Sequence, residues 1–148
     1  MIHYVKGDAT RPDTRTGVLL CHVVNDIRAW GAGFTRAVTA RWPHVEEAYR
    51  AAGLRLGETQ IVAAARNVYV ANICAQAGLA SALERTPLRY DALQAGLLYA
   101  AGWCDGTGFS AHMPKLGAGL AGGDWSRIEL LIKAAFGRCP RPVWVYAL

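Results

Sequence analysis

The sequence predicts an α/β fold, a three-layer α/β/α sandwich around a mixed central sheet. Several strand-length segments, above all Gly17-Val18-Leu19-Leu20-Cys21-His22-Val23-Val24, are nearly uninterrupted apolar runs. Such runs belong to strands buried on both faces, and so to a sheet covered by helices on both sides. These strands alternate with helix-length segments, the pattern of crossover connections. Two further strand-like segments are separated only by Arg66-Asn67, a tight hairpin turn that makes one strand pair antiparallel.

In chain order, residues 2–6 form a short strand and residues 17–24 the long apolar one. A helix follows over about 33–42. Pro43, whose ring presets a helical φ, opens a second helix to about residue 52. The hairpin joins strand 59–65 to strand 68–74. A long helix spans about 87–104, a short apolar strand 109–113, an amphipathic helix 124–136, and a last strand 143–147. No linker or internal repeat interrupts the series, so residues 1–148 are expected to form one domain, and the expectation is a monomer.

With 148 residues, 53% of them hydrophobic, the chain can bury a sizeable core, and 18% charged residues argue against disorder. The longest apolar stretches, 68–71 and 96–103, are far too short to cross a bilayer, and the first residues read as a strand rather than a leader. The expectation is a cytoplasmic protein that meets no membrane. Cys21, Cys74, Cys104 and Cys139 lie far apart with no C-x-x-C pair, so they read as free thiols. No cluster suggests a metal, and no cofactor is expected. The net charge of +5 is scattered over single arginines rather than gathered in a run or a basic–aromatic stripe, so no nucleic-acid motif is present. That charge would suit a small anionic ligand.

The most informative segment is Met113-Pro114-Lys115-Leu116-Gly117-Ala118-Gly119-Leu120-Ala121-Gly122-Gly123-Asp124-Trp125. Glycines between a strand and a helix let backbone N–H groups turn toward an anion, and the helix N-terminus adds its positive dipole end. A phosphate or diphosphate cradle is the functional reading; a merely mobile loop is the alternative. Gly117-x-Gly119-x-x-Gly122 matches the dinucleotide fingerprint literally, but no later strand ends in the acidic residue that a ribose would need. A Walker loop is excluded because no Gly-Lys-Ser/Thr follows.

A second glycine cluster, Trp30-Gly31-Ala32-Gly33-Phe34, precedes another helix and stands close after Asn25 and Asp26. Two glycine loops at two helix N-termini suit a ligand with two phosphates and flanking sugars. Gly31 and Gly33 are also readable as packing residues. Gly7-Asp8-Ala9 follows the first strand, where Asp8 either caps a turn or accepts an adenine amino group. His22 and His112, inside apolar strands, read as hydrogen-bonded core histidines.

Together, Gly7-Asp8-Ala9, Asn25 with Gly31-Ala32-Gly33-Phe34, Asn72, and the run from Pro114 to Trp125 resemble the macrodomain family over nearly the whole chain. The nearest branch is the one containing the terminal ADP-ribose glycohydrolase, from the first glycine loop and the Tyr146-Ala147-Leu148 end. The resemblance implies ADP-ribose binding. Asp8 would receive the adenine amine, with the Ala9 backbone beside it. Leu116, Gly117, Ala118, Gly119, Leu120, Ala121 and Gly122 would wrap the diphosphate. Gly31, Ala32, Gly33 and Phe34 would close over the phosphates and distal ribose, and Asn25 would meet that ribose's hydroxyls. Tyr146 would sit near the adenine or serve as an ordinary strand aromatic.

Members of that branch remove ADP-ribose from carboxylate side chains, some with a lysine and an aspartate. Here the lysine position falls at or next to Gln76, which cannot form a Schiff base, and the aspartate position falls on Ala121. Asn25, Asp26, Gln76 and Asp124 remain as candidate catalytic residues, with Asp124 also readable as a helix N-cap. The resemblance implies a hydrolase of mono-ADP-ribosylated proteins that works without a lysine adduct. A non-catalytic ADP-ribose reader and an ADP-ribose 1″-phosphate phosphatase are the alternatives.

Overall fold

A computed structural model, which describes residues 1–148, contains six strands and four α-helices. They are β1 (Ile2–Lys6), β2 (Val18–Asn25), α1 (Phe34–Arg41), α2 (Pro43–Ala52), β3 (Thr59–Ala65), β4 (Val68–Gln76), α3 (Tyr90–Thr107), β5 (Ser110–Pro114), α4 (Trp125–Phe136) and β6 (Val143–Ala147). The strands form one sheet in the order β1-β6-β5-β2-β4-β3. Only the β3–β4 hairpin is antiparallel; every other neighbouring pair is parallel. The expected mixed sheet is therefore the observed one.

Strand periodicity distributes the side chains of β2 between two cores. Leu19 and Cys21 enter the larger core, where Leu93, Leu97 and Cys104 of α3 meet Ile128, Ile132 and Phe136 of α4. Leu20 points to the opposite face, into a smaller core with Val38 of α1 and Val45 of α2, and Val24 packs in a separate small cluster with Tyr49 and Cys74. α2, α3 and α4 each bury residues at helical spacing, whereas α1 buries Val38 alone, and full burial of one Leu or Ile stabilises by about 1.5–3 kcal/mol. Gly96 lets α3 approach β4, since a Cβ there would run into Ile73. No helix is long and apolar enough to cross a membrane.

Four boundaries differ from the sequence expectation for identifiable reasons. β2 and β4 run past 24 and 74 because Asn25 and Gln76 remain paired in the parallel ladder. α3 begins at Tyr90 instead of about 87, because Leu88 is drawn into a bridge with Gln76. It continues to Thr107, where Gly108 at φ 79° closes it in the left-handed conformation. Asn72, placed near a strand end by the sequence, consequently lies inside β4 with no exposure.

The topology fixes where a ligand can enter. After β2 the chain departs toward β4 through α1 and α2; after β5 it departs toward β6 through α4 on the other face. β2 and β5 are adjacent, so the strand order reverses between them. Open sheets bind ligands at such a point, beyond the strand carboxyl ends.

Candidate functional site

A cleft of about 660 Å³ opens at that point, lined from one side by the β2–α1 loop and from the other by the β5–α4 loop. Its volume falls within the usual range for small-molecule sites. Asn25, Gly31, Ala32, Gly33, Phe34, Gln76, Leu116, Gly117, Gly119, Leu120 and Ala121 all line it, so the structure brings most of the sequence-predicted positions together.

Asn25 organises the first loop. Its Oδ1 accepts from the Ile27 and Ala29 N–H groups at 3.1 and 2.9 Å and from the Tyr49 hydroxyl at 2.9 Å, while Nδ2 donates to the Ala29 carbonyl at 2.8 Å. The carbonyl oxygen is fully engaged, which leaves one amide N–H for anything in the cleft. Arg28 adopts φ 59°, uncommon outside glycine, and Arg50 supports it by donating to the Arg28 carbonyl at 2.8 Å. Burial of Tyr49 pushes its hydroxyl up to about 12, so it stays a donor to Asn25 throughout the physiological range.

Beyond this anchored turn, the backbone is open. Helix α1 starts at Gly33, which supplies no side-chain cap, and the N–H groups of Ala32, Gly33, Phe34 and Thr35 donate to no protein acceptor. The second loop closes on itself through Leu116→Pro114, Ala118→Lys115, Gly122→Gly119 and Gly123→Gly117 backbone hydrogen bonds. The N–H groups of Gly117, Gly119, Leu120 and Ala121 find no protein partner. Gly117 has φ 76°, a conformation that permits this turn without strain. Two sets of free donors thus belong to the two loops that line one cleft, an arrangement suited to an anion with two charged groups.

One expectation is corrected here. The sequence assigned the helix dipole at the second loop to the anion, but Asp124 closes the start of α4 by accepting from the Ser126 N–H at 3.0 Å. Its own N–H donates to the Tyr90 hydroxyl at 2.9 Å, and the residue does not line the cleft. The helix whose N-terminus is left open to the cleft is α1.

Asp8, Ala9, Asp26, Ala118, Gly122 and Tyr146 do not line the cleft. Asp8 Oδ1 accepts from the Thr10 N–H and hydroxyl at 2.8 and 2.7 Å, and Oδ2 faces Arg11 at 3.8 Å. Ala9 is buried in the smaller core, against which Tyr146 packs. The Tyr146 hydroxyl lies 2.8 Å from His112 Nδ1. Asp26 is exposed, with Oδ1 accepting from the Gly78 N–H at 2.8 Å. Gln76 donates to the Gly78 carbonyl at 2.9 Å. Ala118 and Gly122 belong to the second loop without lining the cleft; a Cβ on Gly122 would collide with the Arg85 carbonyl.

Sequence reasoning missed Trp30, Thr35, Lys115 and His22 as lining residues. His22 was read as a core histidine. Its neighbour Asn72, a polar residue at the same register on an adjacent apolar strand, was the available signal. Among the lining side chains only His22 and Lys115 are ionisable; no carboxylate is present. Burial pulls His22 down to about 4, so it is neutral at physiological pH.

No family sequence profile matches the chain, and no curated protein matches it. Solved structures do. A Bacteroides thetaiotaomicron protein of unknown function is 38% identical with a TM-score of 0.94, covering 100% of this chain and 98% of its own. A macrodomain protein from Streptomyces coelicolor is 40% identical with a TM-score of 0.86, covering 100% and 99%. The macrodomain of Mycobacterium tuberculosis DarG is 25% identical with a TM-score of 0.83, covering 100% and 98%. Thermosipho africanus DarTG, solved with ADP-ribose, is 19% identical over 86% of this chain and 37% of its own, with a TM-score of 0.71, and shows the shared fold.

Proposed function

The chain belongs to the macrodomain family, and from that premise we propose that its cleft binds ADP-ribose and that it releases mono-ADP-ribose from acidic side chains of modified proteins. The observation that carries the binding reading is the pair of unpartnered N–H sets on the two loops that line one cleft of about 660 Å³. A diphosphate spanning them would satisfy both with charge-assisted hydrogen bonds, the stronger kind. Leu116 to Gly122 would hold one phosphate, and Gly31 to Phe34 the other with the distal ribose. Asp8 Oδ2, Ala9 and Tyr146 would receive the adenosine end. The presence of ADP-ribose in Thermosipho africanus DarTG agrees with this ligand.

For hydrolysis, water would attack the anomeric carbon, the bond from that carbon to the carboxylate oxygen would break, and a free carboxylate, ADP-ribose and a proton would result. Gln76 cannot form a covalent adduct, so the chain's part is to hold the distal ribose in place while the ester, a labile bond, meets its water. Gln76 and the free Asn25 N–H would hold hydroxyls, and the water would be oriented by the diphosphate itself or, from just outside the cleft lining, by Asp26, whose N–H donates to the Gln76 carbonyl at 3.1 Å. Kinship with the DarG macrodomain at 25% identity supports this branch of the family.

One observation favours a second reading. A cleft without a lining carboxylate suits a reader that binds ADP-ribose and does not cut it. The deciding measurement is release of ADP-ribose from a glutamate-modified protein at saturating enzyme. Turnover above buffer is expected; tight binding with no release would establish the reader, and phosphate release from ADP-ribose 1″-phosphate would point to a phosphatase.

A further inference from the structure

The connection from β4 to α3 presents apolar side chains to solvent. Its first part, Ala77-Gly78-Leu79-Ala80-Ser81-Ala82-Leu83, carries no charge. Leu79 is 55% exposed and Leu83 100%. This segment is tied down at both ends. The Gly78 N–H donates to Asp26 Oδ1 at 2.8 Å, and the Gly78 carbonyl accepts from Gln76 Nε2 at 2.9 Å. The Ala77 N–H donates to the Pro87 carbonyl at 2.9 Å, and the Leu88 N–H to the Ala121 carbonyl at 3.2 Å. Between these ties, Ser81 Oγ accepts from the Leu83 and Glu84 N–H groups at 3.3 and 3.1 Å. The one polar side chain of the tip is thus spent on holding the turn that displays Leu83.

Single exposed leucines are ordinary, but here they gather at one site. Leu79 and Ala80 line the cleft from this connection, and Leu120 lines it from the second glycine loop. Leu120 is 61% exposed and reaches the first loop, where a Cβ on Gly33 would sit 3.2 Å from it. Ile27, next in the chain to the Asp26 that holds Gly78, is 56% exposed. The ribose and phosphate assigned to this part of the cleft are polar and leave these side chains uncovered. A nucleic acid would bring phosphates, and residues 77–83 offer them no cation. We propose that this apolar rim receives the polypeptide flanking the modified acidic residue, and that it favours flanks with apolar side chains. The proposal rests on the cleft being an ADP-ribose site with the distal ribose at Gln76: the linked protein leaves from that ribose, and Gln76 is bonded to Gly78 in the rim segment. Because the ties hold the rim in place before anything binds, little ordering cost offsets the contacts.

Calorimetry with free ADP-ribose and two peptides tests it. Both peptides carry ADP-ribose through an uncleavable amide in place of the ester, one flanked by leucine and phenylalanine and the other by serine and glycine. Wild-type protein should bind the apolar-flanked peptide about 5- to 20-fold more tightly than the other. Leu83→Ser changes a fully exposed side chain outside the cleft lining, so the variant should fold with an unchanged unfolding midpoint. It should cut the preference at least about threefold and leave free ADP-ribose within about twofold. Equal binding of the two peptides by wild-type protein, or a preference that Leu83→Ser leaves intact, overturns the proposal. Tighter binding of an ADP-ribosylated oligonucleotide than of the apolar-flanked peptide also overturns it and makes the partner a nucleic acid. Folded wild-type protein that binds no free ADP-ribose would bring down the reading of the cleft itself, and this proposal with it.

Discussion

Most side chains that the sequence offered for ligand contact are already committed to the protein. Asn25 Oδ1 holds three donors, Asp26 holds Gly78, Gln76 donates to Gly78, and one oxygen of Asp8 serves Thr10. The backbone N–H groups of the two glycine loops are what remain free, and an anion site made of backbone depends on small residues that allow close approach. Gly119 tests this directly. Its φ is not in the left-handed region, and a Cβ there would meet nothing within 4 Å, so Gly119→Glu should fold normally. The carboxylate would then share the cleft with the diphosphate. Affinity for ADP-ribose should fall by about 10- to 100-fold by calorimetry, with an unchanged unfolding midpoint. Normal binding by the folded variant would remove the second loop from the site.

At the scale of elements, the strands were legible because apolar runs and the Arg66-Asn67 turn depend only on local sequence. The starts of helices were less so. Leu88 leaves α3 to pair with Gln76 and to donate to the Ala121 carbonyl at 3.2 Å, a tertiary attraction with no trace in residues 85–90. The same limit hid which helix faces the ligand. Both glycine loops precede helices, and Asp124 was readable as the cap of α4, but only the fold shows that Gly33 leaves the start of α1 open to the cleft. His22 escaped for a related reason, since its partners Asn72 and Gln60 come together only through strand register. The capping role of Asp124 has a measurable signature. Asp124→Ala should lower stability by about 1 kcal/mol in urea, whereas Asp124→Asn, also a good cap, should lose less than about 0.5 kcal/mol. An Asn variant that keeps its stability but loses ADP-ribose release would return Asp124 to the catalytic list.

At the scale of the whole molecule, two histidines make folding sensitive to acid. Burial draws both His22 and His112 from 6.5 down to about 4. The folded chain therefore resists a proton that the unfolded chain accepts below pH 6.5. The unfolded state binds more protons throughout that interval, so stability rises with pH between about 4 and 6.5 and is flat above it. Each histidine should remove about 2 kcal/mol between pH 7 and pH 5. The other groups with large shifts lie outside that window. The low-lying Asp13, held near 2 by its hydrogen bonds to Arg15, titrates below it, and the thiols of Cys74 and Cys104, pushed up to about 12, titrate far above it. Urea unfolding at the two pH values should thus show a clear drop in midpoint at the lower one. His112→Phe, which loses the Tyr146 hydrogen bond but keeps an aromatic ring against Trp144, should be less stable at pH 7 and show about half the pH slope. A slope equal to that of the wild type would mean that His112 takes up protons as freely in the folded chain as in the unfolded one, and that the acid sensitivity arises elsewhere.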